Sequence, residues 1–188
     1  MRALVVYESM FGNTKEIAEA VAAGLADRMD TEVVEVGAAP TALSDDLDLL
    51  VVGGPTHTFG MSRPATRRDA ARQLAARANE SGGVSTAQDG IGMREWLASV
   101  DFGRAAPVVA VFDTRMRSAF SGSAAVKAER LLRRRGMRVV ARRSFFVTGG
   151  QGPLRDGERD QARWWAADVA TWRLNPPSSD GDARNAAA

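Results

Sequence analysis

Ser9-Met10-Phe11-Gly12-Asn13-Thr14 is a run of small, hydroxyl and amide residues interrupted only by Met10 and Phe11. It lies between an apolar run, Ala3 to Tyr7, and a segment with helical periodicity. A loop of this kind offers backbone N–H groups and hydroxyls at the positive end of a helix dipole, where a phosphate dianion is stabilised. The spacing is not that of a dinucleotide loop, G-x-G-x-x-G, or of a triphosphate loop, G-x-x-x-x-G-K-[ST]. Two further segments carry groups that can bind. Gly54-Pro55-Thr56-His57-Thr58-Phe59-Gly60 combines a rigid proline, two hydroxyls, an imidazole and an aromatic ring, which suits a wall beside a planar ligand. Asp113-Thr114-Arg115-Met116-Arg117 leads on to Phe120.

Each of these segments follows a short, apolar, β-branched run of the sort that forms a buried parallel strand: 3–7, 49–52 and 107–112. Residues 32–36 alternate charged and apolar side chains, as an edge strand does, and Val139-Val140 with Ser144 to Val147 completes a fifth. Helices are predicted over Thr14 to Met29 (Ile17, Val21 and Leu25 inward), Arg63 to Ala78, Gly92 to Leu97, Ser123 to Arg135 and Asp156 to Leu174. In the second of these, Ala65 and Leu74 are read as inward and Arg67, Arg68, Arg72 and Arg77 as outward. Gly136 closes the fourth as a C-cap. Trp165, Val169 and Trp172 share one face of the last, which reads as core. Residues 79–92 read as a Gly/Ser-rich loop and 175–188 as a disordered tail beyond a single domain, 1–174. Strands alternating with helices imply an α/β three-layer sandwich: a five-stranded parallel sheet with helices on both faces and ligands at the carboxyl edge.

The first loop and its flanks resemble the flavodoxin signature. Val5, Val6, Tyr7, Ser9, Gly12, Thr14, Ala18 and Val21 fill its fixed positions in register. The resemblance, which spans roughly residues 2–173, implies the strand order 2-1-3-4-5 and a flavin mononucleotide (FMN) site. Its phosphate would lie in the loop Ser9, Met10, Phe11, Gly12, Asn13 and Thr14. Its ring would lie between Pro55, Thr56, His57, Thr58, Phe59 and Gly60 on one side and Asp113, Thr114, Arg115 and Phe120 on the other. Met10 and Phe11 could instead be core. His57 is read either as a loop residue bonded to a carbonyl or as a contact to the flavin edge or a substrate proton. Asp113 is read as ordering its loop rather than as an acid–base group. The chain departs from typical flavodoxins in having Phe59 and Phe120 where a Trp and a Tyr clamp the ring, and in placing Arg115 and Arg117 near the site.

The resemblance further implies an electron-transfer protein. A flavin-dependent reductase using NAD(P)H or a deazaflavin with a quinone-type acceptor is the alternative, and a degenerate interaction domain is a third. The chain has 188 residues and no cysteine, which excludes disulfides, thiolate metal sites and a cysteine nucleophile. No metal is called. No apolar run approaches membrane-spanning length, and the first strand starts too early for a signal peptide, so a cytoplasmic protein is expected. Charge is segregated: residues 1–62 carry a net −7 and 63–188 a net +9. Seven arginines fall within 130–143. They read as a solvated helix end, or as a docking face for an acidic redox partner; no motif for reading nucleic acid accompanies them.

Overall fold

A computed structural model describes residues 1–57, 60–81, 90–104, 107–117 and 122–174. Five parallel strands form one sheet: β1 (Arg2–Tyr7), β2 (Asp30–Glu35), β3 (Leu47–Pro55), β4 (Val108–Met116) and β5 (Val139–Val147), in the order β2-β1-β3-β4-β5. The expected order is the one found. Because successive strand residues point to opposite faces, the apolar runs feed two cores at once. Leu4, Val6, Leu50, Val52, Val109 and Val111 face one side, Val5, Leu49, Val51, Ala110, Phe112 and Phe145 the other.

The second face is covered by α1 (Asn13–Leu25) and α5 (Glu158–Leu174). Ile17, Val21 and Leu25 of α1 are fully buried, as their spacing predicts. Trp165 of α5 packs edge-on against Phe112 and Phe145 with ring centroids 6.0–6.3 Å apart, so this tryptophan is core. The side chain at 172 lies outside the described residues. The first face is covered by α3 (Met93–Ser99) and α4 (Ala124–Arg134), which bury Met93, Trp96 and Leu97, and Leu132. α4 starts at the expected cap, Ser123 Oγ accepting from Val126 N at 3.1 Å, and is followed by Gly136 at φ +79°, a left-handed position that costs glycine little.

Several boundaries and the orientation of one helix differ from the sequence reading. β4 runs on to Met116 instead of stopping at Phe112. α1 stops at Leu25 instead of Met29, because Arg28 and Met29 N–H both turn back to the Leu25 carbonyl. β3 continues through Gly53-Gly54-Pro55, since Gly54 and Pro55 pair with Asp113 and Thr114 of β4. α2 (Pro64–Ser81) is rotated relative to expectation: Ala65 is exposed, Ala70 is buried and Arg67 turns inward. The reason is an ion pair. Arg67 Nη1 donates to Glu95 Oε2 and Ser62 Oγ, both at 3.1 Å, and Glu95 also caps α3 by accepting from Gly92 N at 3.1 Å. Side chains at 74 and 77–81, the segment 82–89 and the tail 175–188 lie outside the described residues. Among the described residues, no helix is long and apolar enough to cross a membrane.

Candidate functional site

At the carboxyl edge of the sheet, the connections leaving β1, β3, β4 and β5 enclose a cleft of about 250 Å³. Met10, Phe11, Asn13 and Thr14 form one wall, Pro55, Thr56 and His57 a second, and Thr114, Arg115 and Met116 a third, with Val147 and Gly150 closing the end. This volume lies just below the range of small-molecule sites, about 300–1,000 Å³, and the cleft is open to solvent.

The first wall is made by a sharp entry into α1. Gly12 occupies the N-cap position at φ +87°, a left-handed conformation that strains any residue with a Cβ. Gly12 offers no side chain to cap α1, so the Asn13 and Thr14 N–H groups, which have no partner within the helix, are open to an anion. Ser9 Oγ accepts weakly from Lys15 N at 3.3 Å; Ser9 and Gly12 sit beside the cleft rather than in its lining. Thr14 is buried, and its hydroxyl shares a 2.7 Å hydrogen bond with Thr114 Oγ1 across the sheet. When Thr114 is the donor, the Thr14 proton is left for an anion. Asn13 Nδ2 donates to the Gln151 carbonyl at 3.0 Å, which ties the loop to the segment after β5.

That last segment, Thr148-Gly149-Gly150-Gln151-Gly152-Pro153, is the part of the site missed from sequence. Its run of glycines after the last strand was a usable signal, since close approach of backbone to a ligand needs small residues.

Asp113 lies behind the wall rather than in it. It is fully buried, and its Oδ2 accepts from Thr56 Oγ1 (2.9 Å), Ser123 Oγ (2.6 Å) and Ala125 N (3.1 Å). Thr56 Oγ1 in turn accepts from Ala124 N at 2.9 Å. One carboxylate thus fixes the second wall, the end of β4 and the start of α4 together. Arg115 donates from Nη1 to the Gly122 carbonyl at 3.0 Å, and both Arg115 and Arg117 stack on Phe146 at about 6 Å. Thr58, Phe59 and Phe120, expected at the site, lie outside the described residues. Gly60 is placed at the cleft's border with a second cavity, paired through its backbone with His57.

His57 has neither of its two expected settings in full. Its backbone exchanges two 2.8 Å hydrogen bonds with Gly60, while its side-chain Nε2 is buried with no partner among the described residues. Burial holds the imidazole below its ordinary pKa, opposed by the nearby Glu8 carboxylate. The ring is therefore neutral at pH 7, and charging it in the folded state is disfavoured. Stability linked to His57 is fully present above the unfolded pKa, about 6.5. It declines as pH drops below that value and is lost once pH passes the lower folded pKa. Urea titrations at pH 7.5 and 5.5 should show a larger loss for the wild type than for His57→Gln, and equal losses would place the ring in water. His57 is the only histidine, so the difference reports on it alone.

A sheet of order 2-1-3-4-5 with a phosphate-type loop after its first strand and a cleft at its switch point defines a flavodoxin-like α/β protein. The flavodoxin family model matches residues 5–165, and the chain belongs to that family. No curated protein gives a significant match. Among solved structures, a flavodoxin from the domain Archaea is 21% identical, with 93% of this chain and 99% of that one covered and a TM-score of 0.58. The flavodoxin of Streptococcus pneumoniae TIGR4 is 18% identical, covering 91% and 99%, at 0.59. A flavone reductase is 12% identical, covering 93% and 64%, at 0.54. At these identities the likeness is one of fold. Flavodoxins bind FMN, and the cleft suits such a ligand in three respects. It has a glycine-led helix start beside the Thr14 hydroxyl, walls from the ends of β3 and β4 on either side, and an orphaned imidazole nitrogen at the border.

Proposed function

We propose that this chain binds FMN in the cleft and serves as an electron-transfer protein. The observation that carries the reading is the first wall: the signature residues Ser9 to Thr14 fold into a glycine-led helix start, and it opens on the cleft. The amides of Gly12 to Thr14 and the hydroxyls of Ser9 and Thr14 would hold the phosphate. Pro55 to His57 and Thr114 to Met116 would flank the ring, which supplies one- and two-electron chemistry when bound. Arg115, anchored by Gly122, would set positive charge near the ring and favour the negative charge gained on reduction. The exposed arginines of α2 and α4 suit an acidic protein partner. Those beside Glu129 suit it less, because Arg133 and Arg142 are already paired with that carboxylate.

A second reading, a reductase that takes electrons directly from a small donor, is favoured by the second cavity beyond His57. Flavin release on heating tests the cofactor. Anaerobic mixing of the FMN-loaded protein with NAD(P)H or a reduced deazaflavin then separates the two readings. A carrier stays oxidised until a flavoprotein reductase is added; bleaching by the small donor alone identifies the reductase. Purified protein that neither carries nor takes up FMN would end both.

A further inference from the structure

His57 is a party wall. On its far side from the cleft lies a cavity of about 310 Å³, lined by Arg63, Arg94, Lys127, Gly60, Met61 and Thr66. Three cationic side chains thus converge on one recess, and no carboxylate lines it. Several cations elsewhere have partners: half-buried Arg67 pairs with Glu95, exposed Arg133 and Arg142 pair with Glu129, and half-buried Arg143 donates to Gln161 Oε1. Among the described residues, Lys127 and Arg63 have no acidic partner. Lys127 is half-buried, and a half-buried ammonium without a counter-charge is costly unless something supplies one.

The recess is also built to hold its cations in place. Arg94 donates from Nε to the Ser62 carbonyl (3.4 Å) and from Nη2 to the Met61 carbonyl (3.2 Å), which orients its guanidinium and leaves Nη1 without an acceptor among the described residues. The Lys127 stem lies directly over Gly60: a Cβ there would come within 2.5 Å of Cδ and 2.6 Å of Nζ. Thr66 Oγ1 accepts from Arg63 N at 2.8 Å and donates to the Arg63 carbonyl at 2.9 Å, fixing the turn into α2. Glu8, the acid that acts on His57, lies outside the lining, its Oε2 accepting from Met93 N at 2.8 Å.

We propose that this recess is a second ligand site, an oxyanion pocket in which Arg63, Arg94 and Lys127 bind the phosphate or carboxylate of a small molecule. A recessed cavity bordering the cleft through one side chain suits the charged end of a molecule whose remainder reaches toward the ring. That extension rests on the flavin reading; the anion site itself does not. Lys127 supplies a compact charge, and the two guanidinium groups supply planar donors.

Calorimetric titration with inorganic pyrophosphate, and separately with citrate, tests the site in the wild type, in Lys127→Gln and in Arg63→Gln, each with and without saturating FMN. Saturable binding that survives FMN and weakens about ten-fold or more in either variant is the expected result, one lost charge-assisted hydrogen bond being worth that much. The tighter of the two probes tells phosphate from carboxylate. Both variants should keep the wild-type FMN affinity and thermal midpoint. Binding that FMN abolishes and Lys127→Gln leaves unchanged would assign the anion to the Ser9–Thr14 loop and overturn the proposal. The absence of saturable heat would overturn it as well. Should the protein take up no FMN, the flavin reading fails, and the Lys127 dependence of pyrophosphate binding still decides the pocket.

Discussion

Replacing Asp113 by alanine is expected to cost about 3–5 kcal/mol of folding stability, a large share of what a domain of this size has. The carboxylate is fully buried and takes hydrogen bonds from two hydroxyls and one amide. Its loss leaves the Thr56 and Ser123 hydroxyls and the Ala125 N–H unmet in a water-poor interior. Each unsatisfied group costs about 1–3 kcal/mol unless water enters the space vacated. Asp113→Asn can keep an acceptor oxygen at the Oδ2 position for all three donors and turn its amide to the unpartnered Oδ1 position, but it loses the charge that strengthens those bonds, so its cost should be intermediate. Chemical denaturation of the two variants gives the ordering directly. A loss below about 1 kcal/mol in Asp113→Ala would mean that the three donors find other partners. Because Thr56 belongs to the cleft's second wall, the alanine variant should also bind flavin less tightly at temperatures where it is still folded.

The sequence made the fold legible because its signals were redundant. Three of the strands were short apolar, β-branched runs ahead of a binding-type segment, the edge strand showed its alternation at 32–36, and helix faces such as Ile17–Val21–Leu25 repeat at clear spacing. The rotation of α2 was not legible. Its alanines give no strong apolar stripe, and the helix orients instead through the Arg67–Glu95 pair, a contact across 28 residues that no local pattern encodes. At the site, the signature loop identified itself by residue type and register. Asp113 was read as ordering its loop, and it takes hydrogen bonds from two hydroxyls and one amide. That it would sit behind the wall instead of on it depends on strand pairing between Gly54 and Asp113. Gly150 and Val147 were overlooked because glycine contributes no functional group, and its value lies in the backbone it exposes. The oxyanion recess was invisible for a different reason. Arg63, Arg94 and Lys127 are 31 and 33 residues apart in turn and meet only after the β3–β4 and β4–β5 connections come together at one edge of the sheet.

The FMN phosphate should supply much of the affinity, so riboflavin, which lacks it, is expected to bind at least a hundred-fold less tightly. Two charge-assisted hydrogen bonds, each about 1.5–3 kcal/mol, suffice for a difference of that size. Within the wall, Thr14→Ala should weaken FMN by about ten-fold or more and leave riboflavin nearly unchanged, because the hydroxyl would serve the phosphate and not the ring. One complication comes from Thr114, whose hydroxyl shares the 2.7 Å bond with Thr14 and would be left single in the variant. Thr114→Val controls for this: it removes the cross-sheet bond but keeps the Thr14 hydroxyl, so FMN affinity should fall by less than in Thr14→Ala. Fluorescence titrations of both flavins against the three proteins measure all of these ratios. Equal affinities for FMN and riboflavin in the wild type would show that the first wall holds no phosphate. The glycine-led start of α1 would then be a feature of the fold alone. A larger loss in Thr114→Val than in Thr14→Ala would instead move the phosphate contact from α1 to the end of β4.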